Sequence, residues 1–329
     1  QLSLTGGNRL TQFSLRGGYN RENTIMDPDH KSERINVSFS LNQKSTNEKL
    51  NVLFSGSFGN SVTEMINQDM SRFRIMAPNM RMLDDQGKPL WEEYNYTVFN
   101  PFAELLKKNN FTSKTLYGNI QPSYRFNEHL KISANIGYNL SINDQDAIVP
   151  LTSLKPGPTL KSSRVLSNSR NQNLSIEPQL DYGRQLFGGD LNILFGGTYQ
   201  STNTSGTRID AQNFPSDEAL RLLNNALSYS VYETASQYKY IAAFGRVNYN
   251  FHNTYIANFT ARRDGSSRFG AGKRFSNFGA AGLAWIFTNQ FDLKDKLPWL
   301  SFGKLRGSLG ITGNDKIPDY QYLDTWAVN

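Results

Sequence analysis

The stretch Leu130-Lys131-Ile132-Ser133-Ala134-Asn135-Ile136-Gly137-Tyr138-Asn139-Leu140-Ser141-Ile142 decides the fold class. Every even position is apolar, and the odd positions are Lys, Ser, Asn, Gly, Asn and Ser. Strict alternation of this kind marks a strand with one apolar and one polar face. Strands of soluble proteins usually run to about 5–6 residues, so this one is long. The segment before it alternates in the same way through Leu116, Gly118, Ile120, Pro122, Tyr124 and Phe126. Only Asn127, Glu128 and His129 separate the two, which makes them a long hairpin with a short turn.

The pattern recurs in both directions. Upstream lie Leu2 and Leu4, then Phe13, Leu15, Gly17 and Tyr19, then Ile35 to Leu41 and Leu50 to Phe58. Downstream, Leu174 to Tyr182 turns at Gly188-Gly189-Asp190 into Leu191 to Tyr199. Ala243 to Phe251 returns as Tyr255 to Ala261, followed by the set Phe278, Ala280, Gly282, Ala284 and Ile286, then by Leu305 to Ile311. The reading is about twelve strands, with a thirteenth beginning near Tyr320.

Connections alternate in length. Short turns fall at 6–10, 44–48, 127–129, 187–189 and 252–254, and long connections at 21–33, 60–111, 143–169, 205–236 and 264–275. A meander with short turns at one end and long loops at the other is the plan of an antiparallel outer-membrane β-barrel. Closure is required there because lipid offers no partners to an open edge. The polar face, rich in Asn, Ser, Thr, Gln, Lys and Arg, suits a wet lumen. Rings at Tyr124, Phe126, Phe187, Tyr249, Phe251 and Tyr255 suit an interfacial girdle. A large soluble β-rich module, a glycan-binding or surface domain, also alternates, but crossing a bilayer on a tilt takes about 9–11 residues and most segments here are that long.

Composition agrees. The chain has 329 residues, and 41 of them are aromatic: 16 Tyr, 21 Phe and 4 Trp. So many rings in a polar chain require a place to put them. No run of about 18 apolar residues exists for a membrane helix, and no apolar leader opens the chain, so any signal peptide is expected to have been removed or to lie outside it. With no Cys and three His (His30, His129, His252), thiolate chemistry is excluded and a histidine metal centre or Ser-His triad has no material. The net charge of +7 is too mild for a nucleic-acid binder. No cofactor is expected: the Gly265–Gly272 piece lacks P-loop spacing. Asp27, Asp29, Asp84, Asp85, Asp144 and Asp146 read as solvated loop acids without EF-hand spacing. In the 60–111 connection, Pro101 to Lys107 predicts a short helix with Pro in its first turn. Ser216 in 205–236 predicts an N-cap followed by acids and an apolar run to Leu227.

Two stretches carry a family resemblance. One is Arg262-Arg263-Asp264-Gly265-Ser266-Ser267-Arg268-Phe269-Gly270, followed by Lys273-Arg274-Phe275 and a strand holding Trp285. The other is Lys304-Leu305-Arg306-Gly307-Ser308-Leu309-Gly310-Ile311-Thr312-Gly313-Asn314 with an Ile317-Pro318-Asp319-Tyr320-Gln321-Tyr322 tail. Together with the opening Leu2–Gly7 and Phe13–Tyr19, they resemble SusC/RagA-type TonB-dependent outer-membrane transporters over nearly the whole chain. Gly307-Ser308-Leu309 is a minor departure, since that family has Ser-Tyr or Ala-Ser-Tyr ahead of the glycine. The resemblance implies that residues 1–329 are barrel, part of a larger, 22-stranded one, without the plug domain. It implies import of oligosaccharides or peptides and no enzymatic activity. The implied partners are a SusD-like surface lipoprotein over the outer loops, the TonB complex acting through the plug, and the lipid bilayer. Topology agrees, because a first strand running inward into Gly6-Gly7-Asn8 calls for a strand before it. A barrel-type lipase is the enzymatic rival, and the chain offers no Ser-His pair for it.

Within Arg262 to Gly270 the only acid is Asp264, and four arginines (Arg262, Arg263, Arg268, Arg274) lie close by. Like charges repel unless answered, so Asp264 is expected to pair with Arg262, Arg263 or Arg268. The motif then reads as a structural staple at a loop base. The alternative is contact with an anionic ligand or with the lipoprotein.

Overall fold

The computed structural model describes residues 1–23, 31–66, 70–77, 79–93, 96–97, 100–157, 161–290 and 299–323. Twelve strands form one antiparallel sheet in strict sequence order: β1 (Leu2–Gly7), β2 (Thr11–Asn23), β3 (Lys31–Lys44), β4 (Leu50–Ile66), β5 (Lys108–Arg125), β6 (Leu130–Val149), β7 (Ser163–Leu186), β8 (Gly189–Gln212), β9 (Ser228–Phe251), β10 (Tyr255–Ser266), β11 (Phe275–Trp285) and β12 (Leu305–Ile311). Every neighbour in the sheet is a neighbour in the chain, as in an up-and-down barrel wall.

Residues opposite each other in an antiparallel ladder share a face, so the register follows each face around the sheet. Phe54, Ile120, Ile136, Ile176, Tyr199 and Ile241 line up across β4–β9 on one face. Tyr124, Ile132, Leu180 and Phe195 form a second such row. On the other face, Asn119 donates to Asn135 at 2.7 Å and Ser113 to Asn143 at 2.8 Å. Among the described residues nothing is packed on the apolar face: Phe195 is 61% exposed, Phe259 53% and Leu283 63%. A soluble sandwich buries such rings in a second sheet. Here hydrocarbon is the missing layer.

Strand β11 corrects the sequence reading. Its even set, Phe278, Ala280, Gly282 and Ala284, lies opposite Arg262, Thr260, Asn258 and Ile256, on the polar face. The lipid-facing set is Ala281, Leu283 and Trp285, with Trp285 opposite Tyr255 in the girdle. Small residues on both faces blur the period there. The cross-strand meeting of Tyr255 and Trp285 fixes it.

The strands also run farther than alternation showed. Asp144 and Asp146 lie inside β6, and the connections shrink from 60–111, 143–169 and 205–236 to 67–107, 150–162 and 213–227. Beyond the apolar band both faces are polar, so the period vanishes while backbone pairing continues. The 21–33 connection narrows to 24–30, which with His30, Asp27 and Asp29 lies outside the described residues.

The long connections are folded. Buried Asn100 donates to the Met82 and Leu90 carbonyls and accepts from the Phe102 N–H, capping α1 (Pro101–Leu105), the expected short helix. Asp84 accepts from the N–H groups of Gln86 and Lys88 in a tight turn. The Ser216–Leu227 stretch forms two 3₁₀ turns, Glu218–Arg221 and Leu223–Asn225, in place of a continuous helix. Leu222 is extended between them while Leu220 and Phe214 are buried against Ala211. Asp217 ties this loop to the neighbouring one, accepting from the N–H of Leu151 at 2.6 Å and the Thr152 hydroxyl at 2.7 Å. At the opposite end, α2 (Phe287–Gln290) follows β11, and Gln290 accepts from both Tyr255 and Trp285.

Candidate functional site

Two consecutive residues of a strand point to opposite faces, so Arg262 and Arg263 cannot share a task. Arg262 is on the polar face of β10, where its guanidinium pairs with Asp264, bonds the Tyr240 hydroxyl and lies 5.3 Å from the centre of the Phe244 ring. Asp264 is thus paired with the nearest arginine on its own face. Arg263 is on the apolar face, 5.4 Å from the Phe275 ring centre. Gly265 is buried beneath that same ring, and a Cβ there would come within 2.5 Å of it, so a side chain would displace the aromatic.

The rest of the motif ties strands together. Ser266 N–H donates to the Arg274 carbonyl at 2.9 Å, closing the 267–274 loop. Ser267 N–H donates to the Lys239 carbonyl, and the Ser267 hydroxyl accepts the Lys239 N–H, both at 2.9 Å, so the loop caps the exposed edge of β9. Phe269 N–H reaches the Ser266 carbonyl, and Gly270 abuts the Tyr322 ring.

Arg268 is answered from about fifty residues later in the chain. Its Nε donates to Asp319 at 2.8 Å, its Nη1 donates to the Asp315 carbonyl at 3.2 Å, and the guanidinium lies 4.2 Å from the Tyr238 ring centre. The Tyr238 hydroxyl donates to Asp315 Oδ2 at 2.7 Å, and Tyr320 accepts the Gln237 N–H. These bonds draw the segment after β12 off the sheet and across its polar face. Gly313 passes so close to Phe278 that a Cβ would lie 2.3 Å from the ring. Tyr320–Leu323, where periodicity suggests a thirteenth strand, is therefore a turn. Burial alone would raise the Asp315 pKa; hydrogen bonds from Tyr238 and Ser266 and the charge of Arg268 outweigh it and hold the carboxylate below its ordinary range.

Between this strap and the wall lies an open recess of about 660 Å³, lined among others by Gln200, Tyr240, Arg262, Asp264, Phe278 and Asp315. Aromatic floors with a few directed polar groups are the usual make-up of ligand sites. Tyr238, Tyr240 and Asp315 were not singled out from sequence, and Asp319 only as part of the Ile317–Tyr322 tail. Carrying the parity of β9 upward from Val247 would have put both tyrosines on the polar face. Nothing local marks either acid as a partner of Arg268. His129 sits in a turn with Nδ1 2.9 Å from the Gly183 carbonyl, and His252 in another with φ 49°. Among the described residues, no three His, Asp or Glu side chains gather as a metal site.

No family model matches the chain. It is similar to the TonB-dependent receptor SusC of Bacteroides thetaiotaomicron, 27% identical over 361 residues, covering all of this chain and 35% of SusC. The TonB-dependent receptor P3 of Formosa agariphila is 24% identical over 337 residues, covering 98% of this chain and 33% of the receptor. The chain thus spans about a third of the length of the curated relatives it matches. Among solved structures, the RagAB peptide importer in its open-open state superposes with a TM-score of 0.78 at 23% identity, over 99% of this chain and 37% of that one. FpvA of P. aeruginosa bound to a ferric pyoverdine superposes at 0.52 and 8% identity, over 86% and 37%. These likenesses are to named TonB-dependent receptors and, in fold, to the β-barrel walls of outer-membrane importers and receptors.

Proposed function

Taking the chain as a relative of SusC/RagA-type TonB-dependent receptors in the outer membrane, we propose that it forms barrel wall for a nutrient importer. The cargo class is oligosaccharide or peptide. Energy comes from the TonB complex acting through a plug region, and a SusD-like surface lipoprotein covers the long-loop end. The observation that carries this reading is the apolar face that continues from strand to strand through β1–β12 behind an Asn- and Ser-rich opposite face, in a chain whose relatives are named TonB-dependent receptors. The aromatic recess and folded loops at one end support capture of a ligand from that side. A soluble glycan-binding module is disfavoured by the uncovered rings, and a barrel-type lipase has no Ser-His pair among the described residues to support it.

The motif Arg262–Gly270 acts, on this proposal, as a staple joining β9, β10 and the strap. Deleting the gene and measuring growth on defined oligosaccharides and on peptides as sole nutrient tests the importer reading. Growth lost on one of these classes and restored by the gene, but not in a strain lacking TonB, is the expected result. Unchanged uptake of both classes sinks it.

A further inference from the structure

Arg263 is a cation on the lipid-facing side with no acidic partner among the described residues. It lies opposite Ala243 and Asn277, its side chain is exposed, and it lies against the Phe275 ring. Its depth follows from the girdle at the short-turn end. Tyr255 and Trp285 face each other there, and Arg263 is eight residues farther along β10, about 26 Å at 3.3 Å per residue. Tilted by about 40°, that is a height of about 20 Å in an apolar band about 25 Å tall. By the same reckoning Phe275, ten residues from Trp285, sits at about 25 Å, and Lys239, twelve from Phe251, at about 30 Å. Lys239 has apolar-face parity, is exposed, and makes no ion pair among the described residues. Phe275 and Ile241 between them are 57% and 53% exposed.

A cation below the rim, an aromatic at it and a second cation above it bracket the headgroup layer. An arginine in the hydrocarbon is costly unless it reaches upward to a counter-ion. We propose that Arg263, Phe275 and Lys239 form a docking site for an anionic, phosphate-bearing lipid headgroup of the leaflet at the long-loop end. The occupant follows from continuity, because the site is the upper margin of the face that lipid already covers. The inference rests on the barrel's place in the membrane and is independent of what the barrel imports.

The test uses the full-length receptor carrying this chain, purified in neutral detergent and titrated with phosphatidylglycerol in mixed micelles while its thermal unfolding is followed. Each cation near an anionic lipid surface contributes about 1 kcal/mol and tenfold is about 1.4 kcal/mol, so the Arg263→Gln/Lys239→Gln double variant should need about thirtyfold more lipid for half the stabilisation. Lys88→Gln, an exposed turn cation, should match the wild type, and Arg263→Lys should retain most of the effect. Both glutamine variants remove charges from lipid-exposed positions, so the barrel should still fold; Lys239→Gln alone reads out the site should the double variant not be recovered. Equal titrations of wild type and double variant overturn the site. So does an identical response to phosphatidylcholine, or a response reproduced by inorganic phosphate, which would mark a free-anion site.

Discussion

Replacing Ile136 by arginine tests the assignment of faces most directly. Ile136 is level with Ile120 on β5 and Ile176 on β7 and points away from the Asn119–Asn135 hydrogen bond. It lies six residues from Leu130, about 20 Å along the strand and about 15 Å in height on a tilt of about 40°, close to the middle of the band. A lipid-facing arginine at that depth should cost about 2–4 kcal/mol. Arginine at Asn135 enters the wet lumen and forfeits a single partly buried hydrogen bond, about 0.5–1.5 kcal/mol. Equilibrium urea unfolding of the full-length protein in vesicles, with the folded fraction read from gel mobility without boiling, separates the two. Cysteine substitution gives a second reading without charge: Cys at 136 should resist a membrane-impermeant maleimide, and Cys at 135 should react. A larger loss for Asn135→Arg than for Ile136→Arg, or the reverse labelling, refutes the assignment.

Asp264→Asn keeps an acceptor for Arg262 and removes its counter-charge, so the barrel should lose about 1–2 kcal/mol; unchanged stability with altered ligand or partner binding would make the motif a contact surface. The depressed pKa of Asp315 means that its contribution is fully present above the unfolded value of 3.8 and is lost as pH falls below it. Protease cleavage within 312–323 should therefore be the same at pH 7 and pH 5 and rise below about pH 4, with Asp315→Asn abolishing the rise. Asn100→Ala removes three hydrogen bonds from a buried site and should destabilise the 67–107 loop locally by about 3 kcal/mol, seen as faster amide exchange there with the strands unaffected. The 67–107, 150–162 and 213–227 connections should be nicked by protease on intact cells before the turns at 126–129 and 252–254, and the reverse order would invert the barrel.

The sheet was legible in the sequence wherever one face touches lipid. Leu130 to Ile142 announces itself because seven apolar residues in alternation have no other use. The signal fades where both faces are wet, and so β6 to β9 looked shorter than their 20 to 24 residues. Pairing there is carried by backbone bonds and by contacts such as Arg164 with Asp146, which leave no period. β11 failed for the opposite reason: Ala and Gly on both faces satisfy either register, and only the meeting of Trp285 with Tyr255 chooses. The helical reading of 216–227 failed because Leu220 gains more from packing against Phe214 and Ala211 than a lone turn gains from continuing its helix.

The motif shows a different limit. Its composition told that four arginines need answering, and its single acid answers Arg262. Period 2 would have separated Arg262 from Arg263, since adjacent residues of a strand face opposite sides, yet the sequence reading left both open as partners of Asp264. What no local reading supplied was the partner of Arg268. Asp315 and Asp319 reach it because β12 leaves the sheet at Ile311 and Gly313 lets the chain cross Phe278. A charge balanced across such a sequence distance is invisible to spacing. Its consequence is physical: the strap is held at the barrel mouth by the same loop that closes β10 to β11, so loosening either should loosen both. Arg268→Ala should therefore raise protease sensitivity in 312–323 and in 267–274 together; cleavage rising in only one of them would show that the two are not coupled.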